Sequence, residues 1–444
     1  MPDIIHRVKK WFKELFNRKL FNRIRDFFFG KKIRVQPPLP PRQPEPAPER
    51  KPKPLWKFSE EGEISFSRDT PSPLPEPDFQ FVAADLKNAL EHPDTIRFPF
   101  GLNGSNAFGV HVVHAEDMPD VPIWFLGDVH GDYPALLASC DYILGRDPDA
   151  VLCFCGDMID RGPDCLRTML WFLNKMLRDM PGRILWIRGN HDIALKYEED
   201  RHCFTSNASP AGFDDLLNAH SEYADFGQDL IRFIQLLPAA LFFPDGLLFT
   251  HGGIPLTNIK SLMDLPASVQ DLNKPMMLSA FCKARIAPGV EYKSAPRSVA
   301  VRDYTVGRVN IDDFFRRCEG IGIRANRIVA GHDHPEAGFS VYDNIQKMEG
   351  QSYPPCEYLK SVLIRYNSAL IPSGRTQDSL LSFHAPEDAQ PFAVACYKAG
   401  ELPEVTILHF RESAFNSLYG DSDAAADVAE SGRDAAPGQT ETET

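Results

Sequence analysis

The chain has 444 residues, of which 43% are hydrophobic and 25% are charged, a composition ordinary for a globular protein with a sizeable core. The formal net charge of −13 argues against a nucleic-acid-binding protein. The sequence contains no run of 18 apolar residues, so no transmembrane helix is expected. The N-terminus has neither a continuous apolar segment nor an A-x-A-like cleavage site, so no signal peptide is expected. Nine scattered cysteines without framework spacing favour a reducing compartment, and we expect a cytoplasmic protein.

The first segment, residues 1–34, is predicted to form a basic amphipathic helix. It carries eleven Lys/Arg against three Asp/Glu, and apolar side chains recur at three- and four-residue steps from Ile5 to Phe27. Such a helix binds an anionic membrane surface or a partner protein, and the alternative is a helix packed on its own domain. Because a proline-rich tether follows, we expect surface or partner binding, with the protein peripheral at the inner membrane face.

Three further segments follow the helix. Residues 35–78 are predicted to be a Pro-rich linker, because nine of the eighteen positions 37–54 are proline, which favours an extended polyproline II chain. Residues 79–415 are predicted to be one folded domain, in which strand-like apolar runs alternate with helical patterns and indicate an α/β architecture. The runs are Ile123–Leu126, Val151–Phe154, Ile184–Ile187 and Leu247–Thr250, and the helical patterns are Asp164–Met180 and Phe226–Leu237. Residues 416–444 are small and acidic, and they are predicted to be a disordered tail.

Five short polar motifs each follow a strand-like apolar run. They are Gly-Asp-Val-His-Gly at 127–131, Gly-Asp-Met-Ile-Asp-Arg-Gly at 156–162, Arg-Gly-Asn-His-Asp at 188–192, His-Gly-Gly at 251–253 and Gly-His-Asp-His at 331–334. Asp128 and His130 point the same way from an extended backbone, so they can bind one cation together, and the flanking glycines permit sharp turns beside it. Mixed nitrogen and oxygen ligands suit Mn, Fe, Zn, Co or Ni better than Ca. One motif alone is weak evidence, but the five together predict a site for two divalent metal ions that share the carboxylate of Asp157.

The order GDxHG, GDxxDRG, RGNHD, HGG and GHxH resembles the calcineurin-like metallophosphoesterases, and most closely their phosphoprotein phosphatase branch. The resemblance covers roughly residues 120–340 and includes Leu-Pro-Ala-Ala at 237–240. It implies a sandwich of two mixed β-sheets flanked by helices, in the layer order α/β/β/α. It also implies metal-dependent hydrolysis of a phosphoester, in which a hydroxide activated by two metal ions attacks the phosphorus directly and no phosphoenzyme forms.

The same resemblance assigns roles to individual residues. The implied ligands are Asp128, His130 and Asp157 for the first metal ion, and Asp157, Asn190, His251 and His332 for the second, while His334 stays open as a further ligand. The metal ions are expected to be Mn²⁺, with Fe, Zn, Co or Ni as alternatives. His191 would be the general acid, oriented by Asp160, and an imidazole beside a carboxylate does keep its proton near neutral pH. The implied phosphate-binding residues are Arg161, Asn190 and a second arginine, for which Arg302 is favoured over Arg297 and Arg308.

Two departures from the phosphatase pattern bear on the substrate. Asp192 stands where phosphoprotein phosphatases have Glu, and bacterial enzymes of the diadenosine tetraphosphatase type often have Asp at this position. The tryptophan-containing loop of eukaryotic phosphatases is absent near 279–290. The first hypothesis is a Ser/Thr protein phosphatase-like enzyme acting on a phosphorylated protein. The second is a diadenosine tetraphosphatase-like pyrophosphohydrolase acting on a small phosphate ester, and the third is a weakly catalytic scaffold recruited through residues 1–34.

Overall fold

The computed structural model describes most of the region that the motifs occupy. The described residues are 55–67, 74–255, 266, 268–286, 305–333, 339–342, 363–366, 392–399 and 403–419. By contacts the chain divides into two units, residues 1–52 and 53–444, and the described residues all belong to the second. The predicted N-terminal helix, the proline-rich stretch up to residue 54 and residues 420–444 of the predicted tail lie outside the described residues, as do Arg302 and His334. Residues 416–419 of that tail are helical, so the prediction of disorder is wrong for them.

The described part of the chain alternates strands and helices, as the apolar runs predict. Its strands are β1 (Trp56–Phe58), β2 (Glu63–Phe66), β3 (Gly109–Val112), β4 (Ile123–Leu126), β5 (Val151–Phe154), β6 (Ile184–Trp186), β7 (Leu195–Glu198), β8 (Cys203–Ser206), β9 (Pro238–Phe242), β10 (Leu247–Thr250), β11 (Arg285–Ile286), β12 (Thr305–Val306), β13 (Arg327–Ala330), β14 (Phe339–Tyr342), β15 (Leu363–Tyr366), β16 (Phe392–Tyr397) and β17 (Glu404–Phe410). Its α-helices are α1 (Phe79–Glu91), α2 (Tyr133–Arg146), α3 (Cys165–Asn174), α4 (Phe213–Ala219), α5 (Ala224–Ile234), α6 (Pro275–Lys283), α7 (Arg308–Gly320) and α8 (Glu412–Tyr419).

Two large mixed sheets form the centre of the fold. One has the strand order β1-β2-β17-β16-β4-β5-β6, and the other has the order β14-β15-β13-β10-β9-β3. β4, β5 and β6 are parallel neighbours, and so are β10 and β13. The strands β4, β5, β6 and β10 are buried along their whole length, which is why each reads as an uninterrupted apolar run in the sequence.

The two sheets pack face to face through aromatic side chains. Phe125 of β4 stacks on Phe249 of β10 with ring centroids 4.9 Å apart, and Phe243, just after β9, meets Tyr397 of β16 at 5.4 Å. A second apolar cluster joins the other face of the β10 sheet to helices α6 and α7, where Phe281 and Phe314 are fully buried. The fold is therefore the expected α/β sandwich, with sheets between helical layers.

Local sequence explains where the helices near the motifs begin. Asp132 caps α2, because its Oδ1 accepts a hydrogen bond of 3.1 Å from the backbone N–H of Ala135. Asp78 caps α1 in the same way through the N–H of Phe81, at 3.1 Å. The capped start of α2 fixes the turn that carries the first motif out of β4.

The prediction that residues 35–78 form a linker is wrong for residues 55–67. β1 and β2 pair with each other, and β2 joins β17 in parallel, so this segment belongs to the seven-stranded sheet. Trp56 and Ile64 are buried, and the Trp56 ring stacks on Phe66 with centroids 5.0 Å apart. The segment carries its own apolar side chains into the core, and it lies between the proline-rich stretch that ends at Pro54 and a second one that begins at Pro71.

Among the described residues no helix is both long enough and apolar enough to cross a membrane.

Candidate metal centre

The carboxyl ends of five strands bring the five motifs together. β4, β5 and β6 lead into the motifs of Asp128, Asp157 and Asn190, while β10 and β13 lead into those of His251 and His332. Because β4, β5 and β6 are parallel, their ends meet at one edge of the sheet. The face-to-face packing of the second sheet brings the ends of β10 and β13 to the same place.

The first group of metal-type donor atoms belongs to His130, Asp157 and His191. One donor atom from each lies within 4.8 Å of the others. Nε2 of His130 is 3.6 Å from Oδ2 of Asp157 and 3.8 Å from Oδ2 of Asp128. Nδ1 of His130 donates to the carbonyl of Ile159 at 2.8 Å, which turns Nε2 toward the carboxylates. Asp128 thus lies beside His130, and His191 is a neighbour that the sequence expectation did not include.

The second group of donor atoms shares Asp157 with the first. Its other members are His251 and His332, again within 4.8 Å of one another. Nε2 of His251 lies 3.3 Å from Oδ2 of Asp157, 3.2 Å from Nδ1 of His332 and 3.0 Å from the side-chain amide of Asn190. Nδ1 of His251 donates to the carbonyl of Cys155 at 2.8 Å, so Nε2 is the nitrogen that faces the group.

A His–Asp pair and an arginine stand beside the two groups. Nδ1 of His191 is 2.8 Å from Oδ2 of Asp160, and both residues are 1% exposed. The other oxygen of Asp160 accepts a hydrogen bond of 3.2 Å from the backbone N–H of Phe213, at the start of α4. Nη2 of Arg161 lies 3.4 Å from Nε2 of His191. The imidazole is thus held by Asp160 on one side and faces a guanidinium on the other.

The backbone of the site is strained. Five of the seven non-glycine residues with left-handed φ angles in the described ranges are motif residues, with φ between 49° and 70°. They are His130, Asp157, Asp160, Arg161 and His332. Left-handed backbone is costly for residues with a Cβ and persists where surrounding contacts enforce it, as is common at functional sites.

Asp192 is the hydrogen-bond acceptor that ties two of these loops together. Its Oδ2 accepts from the N–H groups of Asp157 and Gly189 at 2.9 and 2.8 Å and from Nε1 of Trp186 at 3.1 Å. Its Oδ1 accepts from the N–H of Met158 at 3.0 Å. The carboxylate is 1% exposed, so it faces the protein interior and not the solvent.

Burial and mutual charge shift the pKa values of the clustered groups. Burial raises the pKa of Asp128 to about 7, and the nearby Asp157 acts in the same direction. Burial alone would also raise the pKa of Asp157, but the imidazoles of His251 and His191 hold it well below its usual range. Burial alone would lower the pKa of His251, but Asp157 and Asp128 raise it to about 9. The carboxylates therefore favour a positive charge at the spot where Nε2 of His251 lies.

These observations fit divalent metal ions. Carboxylate oxygens, imidazole nitrogens and an amide converge from five loops in a buried place that favours positive charge. Mixed nitrogen and oxygen donors of this kind suit first-row transition metals. The shared position of Asp157 is the one that a carboxylate between two ions would need.

Sequence reasoning missed two contacts at the site. The side chain of Arg285 forms an ion pair with Asp333, next to His332. Burial mainly lowers the pKa of Arg161, and the positive charge of Arg285 acts in the same direction, so the two guanidinium groups are near each other. The N–H of Phe213 on Asp160 is the other missed contact. Neither partner belongs to a motif, and no local pattern links residues so far apart in sequence.

The family model of the calcineurin-like phosphoesterases matches residues 121–336. A serine/threonine-protein phosphatase of Caenorhabditis elegans is 30% identical over 147 residues, which are 33% of this chain and 30% of that protein. A symmetrical bis(5'-nucleosyl)-tetraphosphatase of Aeromonas salmonicida is 27% identical over 150 residues, which are 33% of this chain and 50% of that protein. The chain thus spans half or less of the length of these two relatives.

Solved structures give weaker likenesses. A protein serine/threonine phosphatase of Saccharomyces cerevisiae has a TM-score of 0.46 and 18% identity over 76% of this chain and 90% of that one. A cold-active protein-tyrosine phosphatase of Shewanella has a TM-score of 0.36 and 14% identity over 79% of this chain and 94% of that one. Scores this low carry no inference about function. The family model, by contrast, matches residues 121–336, a segment that contains all five motifs, and over that segment the chain is similar to the calcineurin-like phosphoesterases.

Proposed function

We propose that this chain hydrolyses phosphate esters at the five-motif site with the help of two divalent metal ions. The observation that carries the proposal is that two groups of metal-type donors share one buried carboxylate, that of Asp157. The His191–Asp160 pair and Arg161 lie beside that carboxylate and supply the remaining kinds of group that phosphoester hydrolysis needs.

The residues that would hold the ions follow from the donor groups and the family resemblance. The first ion would take Asp128, His130 and Asp157, and the second would take Asp157, Asn190, His251 and His332. Bound there, the ions would polarise the phosphoryl oxygens and lower the pKa of water. We propose Mn²⁺ as the native ion, with Fe, Zn, Co and Ni as the alternatives that the donor set also suits.

The chain's own side chains would bind the substrate and move a proton. Arg161 is 9% exposed and planar, so it can hold phosphate oxygens with two parallel hydrogen bonds. The amide of Asn190, 3.0 Å from Nε2 of His251, would be a further phosphate-binding group. His191 would give the proton on Nε2 to the leaving oxygen, since its Nδ1 is engaged by Asp160. Arg302 and His334 stay proposals from the sequence as the second phosphate-binding arginine and a further ligand.

The proposed substrate is a phosphorylated protein, because the site motifs are closest to phosphoprotein phosphatases and the Caenorhabditis elegans relative is named as one. A nucleoside polyphosphate is the second candidate. It is supported by Asp192 in the third motif and by the Aeromonas salmonicida relative, which is named as a tetraphosphatase. A scaffold without activity is less favoured, because the proposed ligand set is intact.

Phosphate release by the purified full-length chain with Mn²⁺ tests these candidates. The substrates are a phosphoserine peptide, diadenosine tetraphosphate and p-nitrophenyl phosphate. We expect release that the variant Asp157→Asn abolishes and that the control Asp149→Asn leaves unchanged, since Asp149 is an exposed carboxylate just before β5, at the far end of that strand. Preference for the peptide supports the protein phosphatase, and preference for the dinucleotide supports the second candidate. Failure of all three to release phosphate would favour the scaffold.

A separate proposal concerns residues 1–34, whose basic amphipathic pattern suits an anionic membrane surface at the inner face or a partner protein. Co-sedimentation with vesicles that contain phosphatidylserine compares the full chain with a variant lacking residues 1–34. We expect only the full chain to pellet, and to a smaller extent at high salt. Equal pelleting of the two proteins would remove the membrane proposal and leave the partner.

A further inference from the structure

The side chain of Asp192 is buried, and its two oxygens accept four hydrogen bonds from groups of the protein. Three of the donors are backbone N–H groups of Asp157, Met158 and Gly189, and the fourth is Nε1 of the fully buried Trp186. Asp157 and Met158 belong to the loop after β5, whereas Gly189 and Asp192 belong to the loop after β6. One carboxylate therefore joins the two loops that carry the shared ligand and the proposed acid.

A second hydrogen bond runs between these loops in the opposite direction. Oδ1 of Asp157 accepts from the backbone N–H of His191 at 2.8 Å. With Oδ1 engaged, Oδ2 of Asp157 is the oxygen that faces both donor groups, at 3.6 Å from Nε2 of His130 and 3.3 Å from Nε2 of His251. Asp157 also has a φ of 50°, and its N–H reaches Asp192 from that left-handed backbone. Asp192 thus fixes the backbone conformation of Asp157 that directs its Oδ2 toward His130 and His251.

We propose that Asp192 is a positioning residue for the metal centre, which fixes the orientation of Asp157 between the two donor groups. This inference rests on the proposed function. It gives the aspartate of the third motif a role other than substrate recognition, because a carboxylate that is 1% exposed and bound to four N–H groups cannot touch a substrate.

The chemistry of the four donors predicts how substitutions act. An asparagine at position 192 has one acceptor oxygen, so its NH₂ group would be set against a backbone N–H of the loop that holds Asp157. A glutamate keeps both acceptor oxygens, but its extra methylene must fit where the side chain is already buried. Asp192→Asn therefore tests the loss of a hydrogen-bond acceptor, and Asp192→Glu tests a change in packing with both acceptors kept.

Isothermal titration of the full chain with Mn²⁺, together with thermal unfolding without metal, tests the role. For Asp192→Asn we expect Mn²⁺ affinity to fall about 10- to 100-fold, as for other residues that support metal ligands through hydrogen bonds. For Asp192→Glu we expect a smaller loss of affinity with at least as large a drop in Tm. The control is Ile143→Ala in the last turn of α2, fully buried away from the motifs, which should lower Tm and leave Mn²⁺ affinity unchanged.

Wild-type affinity in Asp192→Asn would overturn the positioning role, and so would a loss of affinity in all three variants in proportion to their drop in Tm. A wild-type chain that binds no Mn²⁺ would instead contradict the proposed function itself. A wild-type chain that binds Mn²⁺ but releases phosphate from no substrate would contradict the proposed hydrolysis. The Mn²⁺ affinities of the variants would still test the positioning role of Asp192.

Discussion

Replacing Asp160 by asparagine should lower kcat strongly for substrates whose leaving group needs a proton, and only weakly for substrates whose leaving group departs without one. Oδ2 of Asp160 lies 2.8 Å from Nδ1 of His191, and Oδ1 accepts from the N–H of Phe213 at 3.2 Å. An asparagine can accept only one of these bonds, and its NH₂ group can donate to Nδ1. The imidazole then loses the carboxylate that accepts its Nδ1 proton and holds the ring in place, so proton transfer from Nε2 of His191 to the leaving oxygen is impaired.

The size of the effect follows from the buried contact. A hydrogen bond to a charged group contributes about 1.5–3 kcal/mol, and each 1.36 kcal/mol of barrier is about tenfold in rate. Since Asp160 and His191 are both 1% exposed, water does not replace the lost contact, and the upper end applies. We expect kcat on a phosphoserine peptide to fall about 100-fold, within the range for general acid catalysis. On p-nitrophenyl phosphate, whose phenolate departs readily, we expect a fall of less than about tenfold.

The assay measures kcat on both substrates at saturating Mn²⁺ for the wild type, Asp160→Asn and a control in the same loop. The control is Asp164→Asn, which removes a half-buried carboxylate that pairs with Arg167 and has no contact with His191. We expect wild-type rates from the control. Equal losses on the two substrates in Asp160→Asn would refute the assignment of proton transfer to the His191–Asp160 pair.

Three further predictions follow from the contacts. In Gly331→Ala the new Cβ would collide with Oδ1 of Asp128, so metal binding and hydrolysis should be lost, whereas Gly145→Ala in α2, with no atom within 4 Å of its Cβ, should keep both. Arg161→Lys should raise the inhibition constant of inorganic phosphate about tenfold with unchanged Mn²⁺ affinity, because an ammonium cannot form the two parallel bonds of a guanidinium. Burial lowers the pKa of His111 from its ordinary 6.5, so the neutral form is favoured in the fold, and the stability this provides is present above pH 6.5 and is lost as pH falls below it. His111→Gln should therefore show a shallower loss of unfolding free energy between about pH 6.5 and pH 5 in denaturant titrations.

The central strands could be predicted from the sequence because they are buried along their whole length. Three apolar runs, at Ile123–Leu126, Val151–Phe154 and Leu247–Thr250, have the bounds of the observed strands, and the run from Ile184 ends one residue earlier than predicted, at Trp186. Helix bounds were less accurate. The pattern from Asp164 becomes α3 and then a π-helical turn at Lys175–Asp179, which the 3.6-residue period does not anticipate.

The first two strands could not be predicted, because β1 and β2 are short and their partner is far away. β2 pairs with β17, so residues near 64 meet residues near 410, and no local period records such a contact. The motifs contain the side chains that the structure groups at the site, among them His130, Asp157 and His251. They did not predict what holds those side chains, since the four donors to Asp192 and the N–H on Asp160 are mostly backbone groups, which any sequence would supply.

The Asp192 geometry also changes how the third motif bears on the substrate. The aspartate separates this chain from phosphoprotein phosphatases in the sequence pattern, but in the structure it is buried and bonded to the loops that carry the proposed metal ligands. Its identity is therefore weaker support for a nucleotide substrate than the sequence alone suggests. The choice between the two proposed substrates then depends on the assay and not on this motif.

Hydrolysis of p-nitrophenyl phosphate measured against the number of Mn²⁺ ions bound per chain tests the central claim most directly. Metal-free protein is titrated with Mn²⁺, and bound metal and phosphate release are read from the same samples. A site that shares Asp157 between two donor groups predicts two ions per chain, with activity that rises as the second ion binds, and neither in Asp157→Asn. Full activity with one ion bound, or phosphate release without any metal, would contradict the account.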